Sequence, residues 1–142
     1  MTIRELDGNI ELTIIIVDDS RDDHFFIKES LCHLKKIHFQ DFYDGEDFLD
    51  FLEQPGIKKY PDSKHPVIVI LDVNMPKLTG FEVFDIIMKK NLRAHFHFFI
   101  LTTSITEEGK SICKKYALEC HQKPFLIDDF TTLLEKIIKD CI

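Results

Sequence analysis

Five side chains in this sequence could share one piece of chemistry: Asp18, Asp19, Asp72, Thr102 and Lys123. Each stands just after a short run that reads as a strand: IIIV at 14–17 before the two aspartates, VIVIL at 67–71 before Asp72, FFIL at 98–101 before Thr102, and ECHQ at 119–122 before Lys123. If the strands are parallel, all five residues meet at one sheet edge. Three carboxylates in one pocket repel each other, and their desolvation costs several kcal/mol unless a cation neutralises them. Oxygen donors with no neighbouring Cys or His set favour a hard cation, and magnesium binds through one or two carboxylates together with waters and phosphate oxygens. The set therefore reads as a Mg²⁺ site. Asp72 follows the most apolar run and has a second task open to it, because a carboxylate can attack phosphorus and hold it as an aspartyl phosphate. Lys123 would then offer a point charge, and Thr102 a hydroxyl hydrogen bond, to the phosphoryl oxygens.

The rest of the chain must place those residues. Short β-branched or aromatic runs predict strands at Glu11–Val17, Ile37–Tyr43, Val67–Leu71, Phe96–Leu101 and Glu119–Gln122. Apolar residues at helical spacing predict helices at Asp22–Lys35, Gly45–Glu53, Phe81–Lys90, Glu107–Ala117 and Leu126–Cys141. Gln54–Pro66 carries three prolines and a glycine and reads as a loop. Five strands alternating with five helices predict an α/β fold: right-handed βαβ units and a parallel sheet covered on both faces. Ligands of such sheets sit outside the carboxyl ends of the strands, which is where the five residues lie.

The motifs IIIVDD at 14–19, VILDVNMPKLTG at 69–80, ILTT at 100–103 and KPF at 123–125 occur in the order, and over nearly the whole length, of a response-regulator receiver domain of two-component signalling. The chain resembles that family, and within it the single-domain chemotaxis-type and phytochrome-linked regulators, the latter through its extended loop at 54–66. The resemblance implies a flavodoxin-like, doubly wound sheet of order 2-1-3-4-5. It implies Asp72 as phosphoacceptor from a histidine kinase or histidine phosphotransfer protein. Asp19 and Asp72 would ligate Mg²⁺ directly with the backbone carbonyl of Asn74, and Asp18 would assist through water. Thr102 would be the switch hydroxyl and Lys123 the phosphate contact. The Lys123–Pro124 peptide is usually cis in this family. A homodimer through the face of the fourth helix, fifth strand and fifth helix is common among its members.

One departure concerns the switch itself. The position three before the lysine usually carries Tyr or Phe, the ring that swings inward on activation; here it is Cys120. The residue after the switch threonine is often Ala and is here Thr103.

Plainer readings exist for several of these residues. Asp18 and Asp19 could form a helix N-cap cluster with Asp22 and Asp23, which read as caps or first-turn charges. Lys123-Pro124 could be a turn, Gly80 a tight-turn residue opening the third helix, and Cys120 a small packing residue. Gly109-Lys110-Ser111 ends like a phosphate-binding loop, but Ser104 stands where that motif needs its first glycine. A phosphohydrolase of the haloacid-dehalogenase type needs D-x-D on its first strand, and Ser20 breaks that pattern. A pseudo-receiver scaffold usually loses an acid or the lysine, and this chain keeps them all.

The whole sequence, 142 residues, fits one receiver domain with its core at about 11–141 and no output domain. A net charge of −7 disfavours a direct grip on nucleic acid. No apolar run approaches the roughly 18 residues of a membrane span. The acidic start Met1–Asp7 reads as no signal peptide. Scattered Cys32, Cys113, Cys120 and Cys141 read as reduced thiols of a cytoplasmic protein. The resulting expectation is a phosphoacceptor switch that assists its own phosphorylation and dephosphorylation without being an enzyme in the ordinary sense. It would signal through a protein partner or by phosphorelay.

Overall fold

The computed structural model describes residues 10–57, 61–62 and 64–142. Part of the 54–66 loop and the acidic start lie outside the described residues. Five strands, β1 (Leu12–Val17), β2 (Ile37–Phe42), β3 (Val67–Leu71), β4 (His97–Thr102) and β5 (Glu119–Gln122), alternate with α1 (Arg21–Ser30), α2 (Gly45–Leu52), α3 (Gly80–Lys89), α4 (Glu107–Lys115) and α5 (Ile127–Cys141). All strand pairs are parallel and the order is 2-1-3-4-5. This is the expected flavodoxin-like arrangement.

The apolar runs of β1, β3 and β4 form strands because both of their faces are covered. Along β1, Ile15 and Val17 point into one core, while Leu12, Ile14 and Ile16 point into the other. β3 divides the same way, Val67, Val69 and Leu71 against Ile68 and Ile70. The first core is closed by α2, α3 and α4 through Phe48, Leu52, Phe84, Ile87 and Cys113. The second is closed by α1 and α5 through Ile27, Leu31, Phe130, Leu134 and Ile137. A continuous apolar strand, rather than an alternating one, is what two-sided burial requires.

Helix starts follow capping chemistry. Ser20 caps α1, Asp44 caps α2 and Thr106 caps α4, each accepting a backbone N–H three residues on. Thr79 and Glu82 form a reciprocal capping box at α3. The main boundary difference is at α1. The periodicity predicts a helix to Lys35, but the helix ends at Ser30, the chain tightens with Leu34 N bonding Leu31 O, and Lys36 turns into β2 at φ 64°. Local i+3 turns often finish a helix this way.

The loop from β3 to α3 is folded back on itself. Gly80 N bonds Val73 O at 2.9 Å, and a Cβ on Gly80 would lie 2.1 Å from the Asp72 carbonyl oxygen and 2.9 Å from its carbon. Those are backbone atoms of a buried turn and have nowhere to go. Gly80 therefore fixes the backbone beside Asp72, which goes beyond a turn residue. Gly80→Ala should destabilise the domain by about 1–3 kcal/mol, the usual range for overpacking, measured by urea unfolding. An unchanged midpoint would show that the loop can move aside.

Candidate phosphoacceptor site

The sheet ladder continues one residue past the strands and sets the site. Asp18 N bonds Phe42 O, Asp72 N bonds Val17 O at 2.9 Å, and Lys123 N bonds Thr102 O at 2.7 Å. Strand ends from across the sheet thus deliver their next residues to one edge. Oxygen atoms of Asp18, Asp19 and Asp72 lie within 4.8 Å of one another. Asp18 and Asp72 are buried, and Asp19 is exposed. Asp18 and Asp19 are not helix caps; Ser20 takes that role, and Asp18 Oδ1 accepts the Ser20 N–H at 2.9 Å.

Lys123 reaches into the cluster from the other end of the sheet. Its ammonium donates to Asp18 Oδ2 at 2.8 Å and to Asp23 Oδ2 at 2.7 Å, and lies 3.5 Å from Asp72 Oδ1. Burial works against the charge on Lys123, but the hydrogen bonds to Asp18 and Asp23 outweigh it and hold the ammonium more firmly protonated than an ordinary lysine. Burial raises the pKa of Asp18 despite its bond to Lys123. Burial, then the charge of Asp18, pushes Asp72 up to about 6, with Lys123 opposing. The cluster is thus short of positive charge. Its three carboxylates offer hard oxygen donors at one point, which fits a divalent cation such as Mg²⁺.

The remaining expected residues have distinct settings. Thr102 is buried at the end of β4, and its Oγ1 finds no hydrogen-bond partner among the described residues. Asn74 lies two residues past Asp72 on the exposed loop. Cys120 sits on β5 opposite Ile100 of β4, partly buried against the first core. The expectation of four reduced thiols is corrected here. Cys113 of α4 and Cys120 are joined in a disulfide with Cα atoms 6.5 Å apart, while Cys32 and Cys141 are free. The chain reverses between α4 and β5, so residues seven apart come face to face; no cysteine spacing motif announces this. The Lys123–Pro124 peptide also departs from expectation, since no cis peptide bond occurs among the described residues. Trans is the intrinsic preference of an X–Pro bond.

Two contributors escape the sequence reading. Asp23 reads as a first-turn charge, and it is one, but its position on α1 also aims it at Lys123. His24 is buried beneath the site, with Nε2 2.7 Å from the Asp18 carbonyl and Nδ1 2.6 Å from Asp41 Oδ1, while Lys28 also bonds Asp41. The ring thus bridges the Asp18 carbonyl and the Asp41 carboxylate. This pins the backbone at Asp18. An acid at i+4 or i+5 from the aspartate pair is the only sequence signal for Asp23.

Beside the site lies an apolar rim. A depression of about 260 Å³ is lined by Asp23, Phe26, Lys123, Phe125 and Ile127 among others. Phe125 is 95% exposed and Phe25 58%.

Comparison with known proteins places the chain. The family model for the response regulator receiver domain matches residues 14–135. Chemotaxis protein CheY of Listeria monocytogenes is 32% identical over 130 residues, 90% of this chain and 99% of that protein. Response regulator Rcp1 of Synechocystis is 28% identical over 116 residues, 81% of this chain and 78% of that protein. Among solved structures, the phosphorylated cyanobacterial phytochrome response regulator RcpA superposes with a TM-score of 0.76 at 22% identity, covering 92% of this chain and 94% of its own. The Mn²⁺-bound form of Rcp1 gives 0.68 at 25% identity, covering 88% and 90%.

The raised pKa of Asp72 has a consequence for stability. Its folded value of about 6 lies above its ordinary 3.8, so the folded protein holds the extra proton between those values. Stability should fall as pH rises through that window and level off above it. Asp72→Asn removes the term. In metal-free buffer the variant should match the wild type below about pH 4 and exceed it above about pH 6, by at most about 3 kcal/mol. Urea unfolding across pH checks this; a pH-independent offset would assign the difference to packing instead.

Proposed function

This chain belongs to the response regulator receiver domain family, and from that premise we propose that it acts as a stand-alone switch driven by phosphorylation of Asp72. The donor is a phosphohistidine on a histidine kinase or a histidine phosphotransfer protein. The observation that carries the reading is the buried pair of Asp72 and Lys123, 3.5 Å apart inside a cluster of carboxylates. At that separation a phosphoryl group carried on the Asp72 carboxylate comes within reach of the ammonium.

In the proposed reaction an Asp72 carboxylate oxygen attacks phosphorus. The new O–P bond forms as the P–N bond to the donor imidazole breaks, and the imidazole, already protonated on its other ring nitrogen, leaves as the neutral ring. Lys123 then turns from Asp18 and Asp23 toward the phosphoryl oxygens, and the unpartnered Thr102 hydroxyl donates to one of them. A divalent cation, held by Asp18, Asp19, Asp72 and the Asn74 carbonyl, would supply charge neutralisation at those oxygens. The Mn²⁺-bound form of Rcp1 supports that capacity in a relative. Phosphorylation adds about −1.5 to −2 charges at the site. Moving a 1:99 equilibrium to 99:1 takes about 5.5 kcal/mol of differential stabilisation, a scale that a lysine contact, a threonine bond and a shared cation together can approach. The exposed Phe26 and Phe125, which line the depression together with Lys123, give the phosphoryl donor an apolar surface to dock on. Output would pass through a protein partner or onward as phosphate.

Intact-mass spectrometry after incubation with acetyl phosphate and Mg²⁺ tests the reading. We expect one hydroxylamine-labile phosphoryl adduct, absent in Asp72→Asn and absent with a chelator. No adduct, or one that persists in the variant, would favour an unphosphorylated scaffold. Lys123→Ala separates the roles further. It should keep, or enlarge, the thermal shift given by Mg²⁺, because the internal cation that competes for the carboxylates is gone. Collapse of the Mg²⁺ shift would show that Lys123 builds the metal pocket rather than serving the phosphoryl group.

A further inference from the structure

We propose that Cys113 and Cys120 form a reversible thiol–disulfide modification site that takes small disulfides of the glutathione type and sets whether α4 can answer phosphorylation. The coupling to phosphorylation rests on the reading of Asp72 above; the modification itself does not.

The placement of the two sulfurs carries the argument. α4 is a polar helix, EEGKSICKK, and its fully buried residues are Gly109 and Cys113. Glycine has no side chain to anchor, so Cys113, with the partly buried Ile112 beside it, is the buried side chain by which α4 holds the sheet. Its partner Cys120 occupies the β5 position opposite Ile100, on the strand whose next residues lead into Lys123. The bond therefore ties the least firmly packed helix to the strand that carries the phosphate-contacting lysine. Both cysteines line a cavity of about 460 Å³, together with Thr102, Ile105, Ile112 and Phe81. The unpartnered Thr102 hydroxyl belongs to a side chain bordering the space that the disulfide borders. Any inward shift of Thr102 and the loop after it draws on α4, and a covalent link at Cys113 opposes that shift.

The cavity also admits the reagent. Exposed Ser104, Thr106 and Glu108 line it beside the sulfurs, and Cys120 is partly exposed. The Cys120 thiolate attacks a sulfur of the small disulfide, forming a mixed disulfide and releasing one thiolate. The Cys113 thiolate then attacks the Cys120 sulfur and displaces the second thiolate. The two protein thiols lose two protons and two electrons, and the small disulfide is reduced to two thiols. An excess of the small thiol reverses both steps. The remaining cysteines act as internal controls: Cys141 is distant in sequence, and burial, then Glu119, pushes its thiol up to about 12, so it stays protonated and unreactive.

The experiment uses the whole chain equilibrated with reduced and oxidised glutathione at graded ratios. Thiol alkylation and peptide mass spectrometry read the Cys113–Cys120 link. Amide hydrogen exchange in α4 then reads the response to beryllofluoride with Mg²⁺, a phosphoryl mimic. We expect the link to form reversibly. The beryllofluoride-induced change in α4 exchange should be about tenfold or more in the reduced protein and near absent in the oxidised one. Cys113→Ser and Cys120→Ala should respond like reduced protein at every ratio, and Cys32→Ser with Cys141→Ser should keep the redox dependence. Failure of the link to form at any ratio overturns the modification site. A link that forms but leaves the α4 response equal in both states overturns the coupling. Acetyl phosphate labelling of the reduced protein, run alongside, tells a failure of the Asp72 reading apart from either result.

Discussion

Burial of three carboxylates at one point is the constraint to which the rest of this structure answers. Asp18 and Asp72 are removed from water and sit within reach of Asp19, so each raises the cost of ionising the others. The fold supplies one internal cation, Lys123, and places it by a backbone bond to Thr102 at the far strand. Around that pair the other features fall into place. His24 and Asp41 hold the Asp18 backbone from below, Gly80 lets the loop after Asp72 close without a side chain in its path, and Asp23 takes up the lysine's second bond. A buried ion cluster of this kind is weak support for stability, since desolvation offsets the Coulomb gain. Three carboxylates against one lysine leave the arrangement short of positive charge, a setting that suits a divalent cation.

The lysine has two acidic partners besides Asp72. In the free site Lys123 is held by Asp18 and Asp23, both nearer to it than Asp72 is. In the proposed reaction an incoming phosphoryl group would compete with these two bonds, and the net gain would be smaller than the new contact alone would give. Asp23 thus acts as a positioning residue on Lys123, through which α1 is linked to β5.

Much of this was legible in the sequence because it is written in local pattern. Two-sided burial makes strands of continuous apolar residues, and the residue that closes each such run must lie at the sheet edge; Asp18, Asp72 and Thr102 follow from that, whereas Lys123 follows a short polar run and is marked by its Lys-Pro pair and its place in the alternation. β3 and β5 have the bounds their runs predict. What was not legible depends on rotation and distance. Which of the first-turn acids of α1 faces Lys123, 100 residues away, is set by the helix's seat on the sheet. The pairing of Cys113 with Cys120 depends on a chain reversal, and their spacing matches no cysteine motif. The end of α1 at Ser30 depends on local turn bonds that compete with a periodicity continuing past it.

The two sides of the sheet are not held equally. α1 and α5 pack on each other and on β1 through Ile27, Leu31, Phe130, Leu134, Ile137 and Ile138. On the other side α4 offers little apolar surface, and β5 is a four-residue edge strand with no fully buried position. At roughly 25 cal/mol per Å² of apolar area buried, so polar a helix is weakly anchored, and closing a loop as short as 113–120 contributes about 2–3 kcal/mol in the chain-entropy account. That is comparable to what a lysine contact and a threonine bond can redistribute on phosphorylation. Motion in response to the site is therefore expected where packing is thinnest, along α4 and β5. On that edge the Cys113–Cys120 bond joins the two most thinly packed elements.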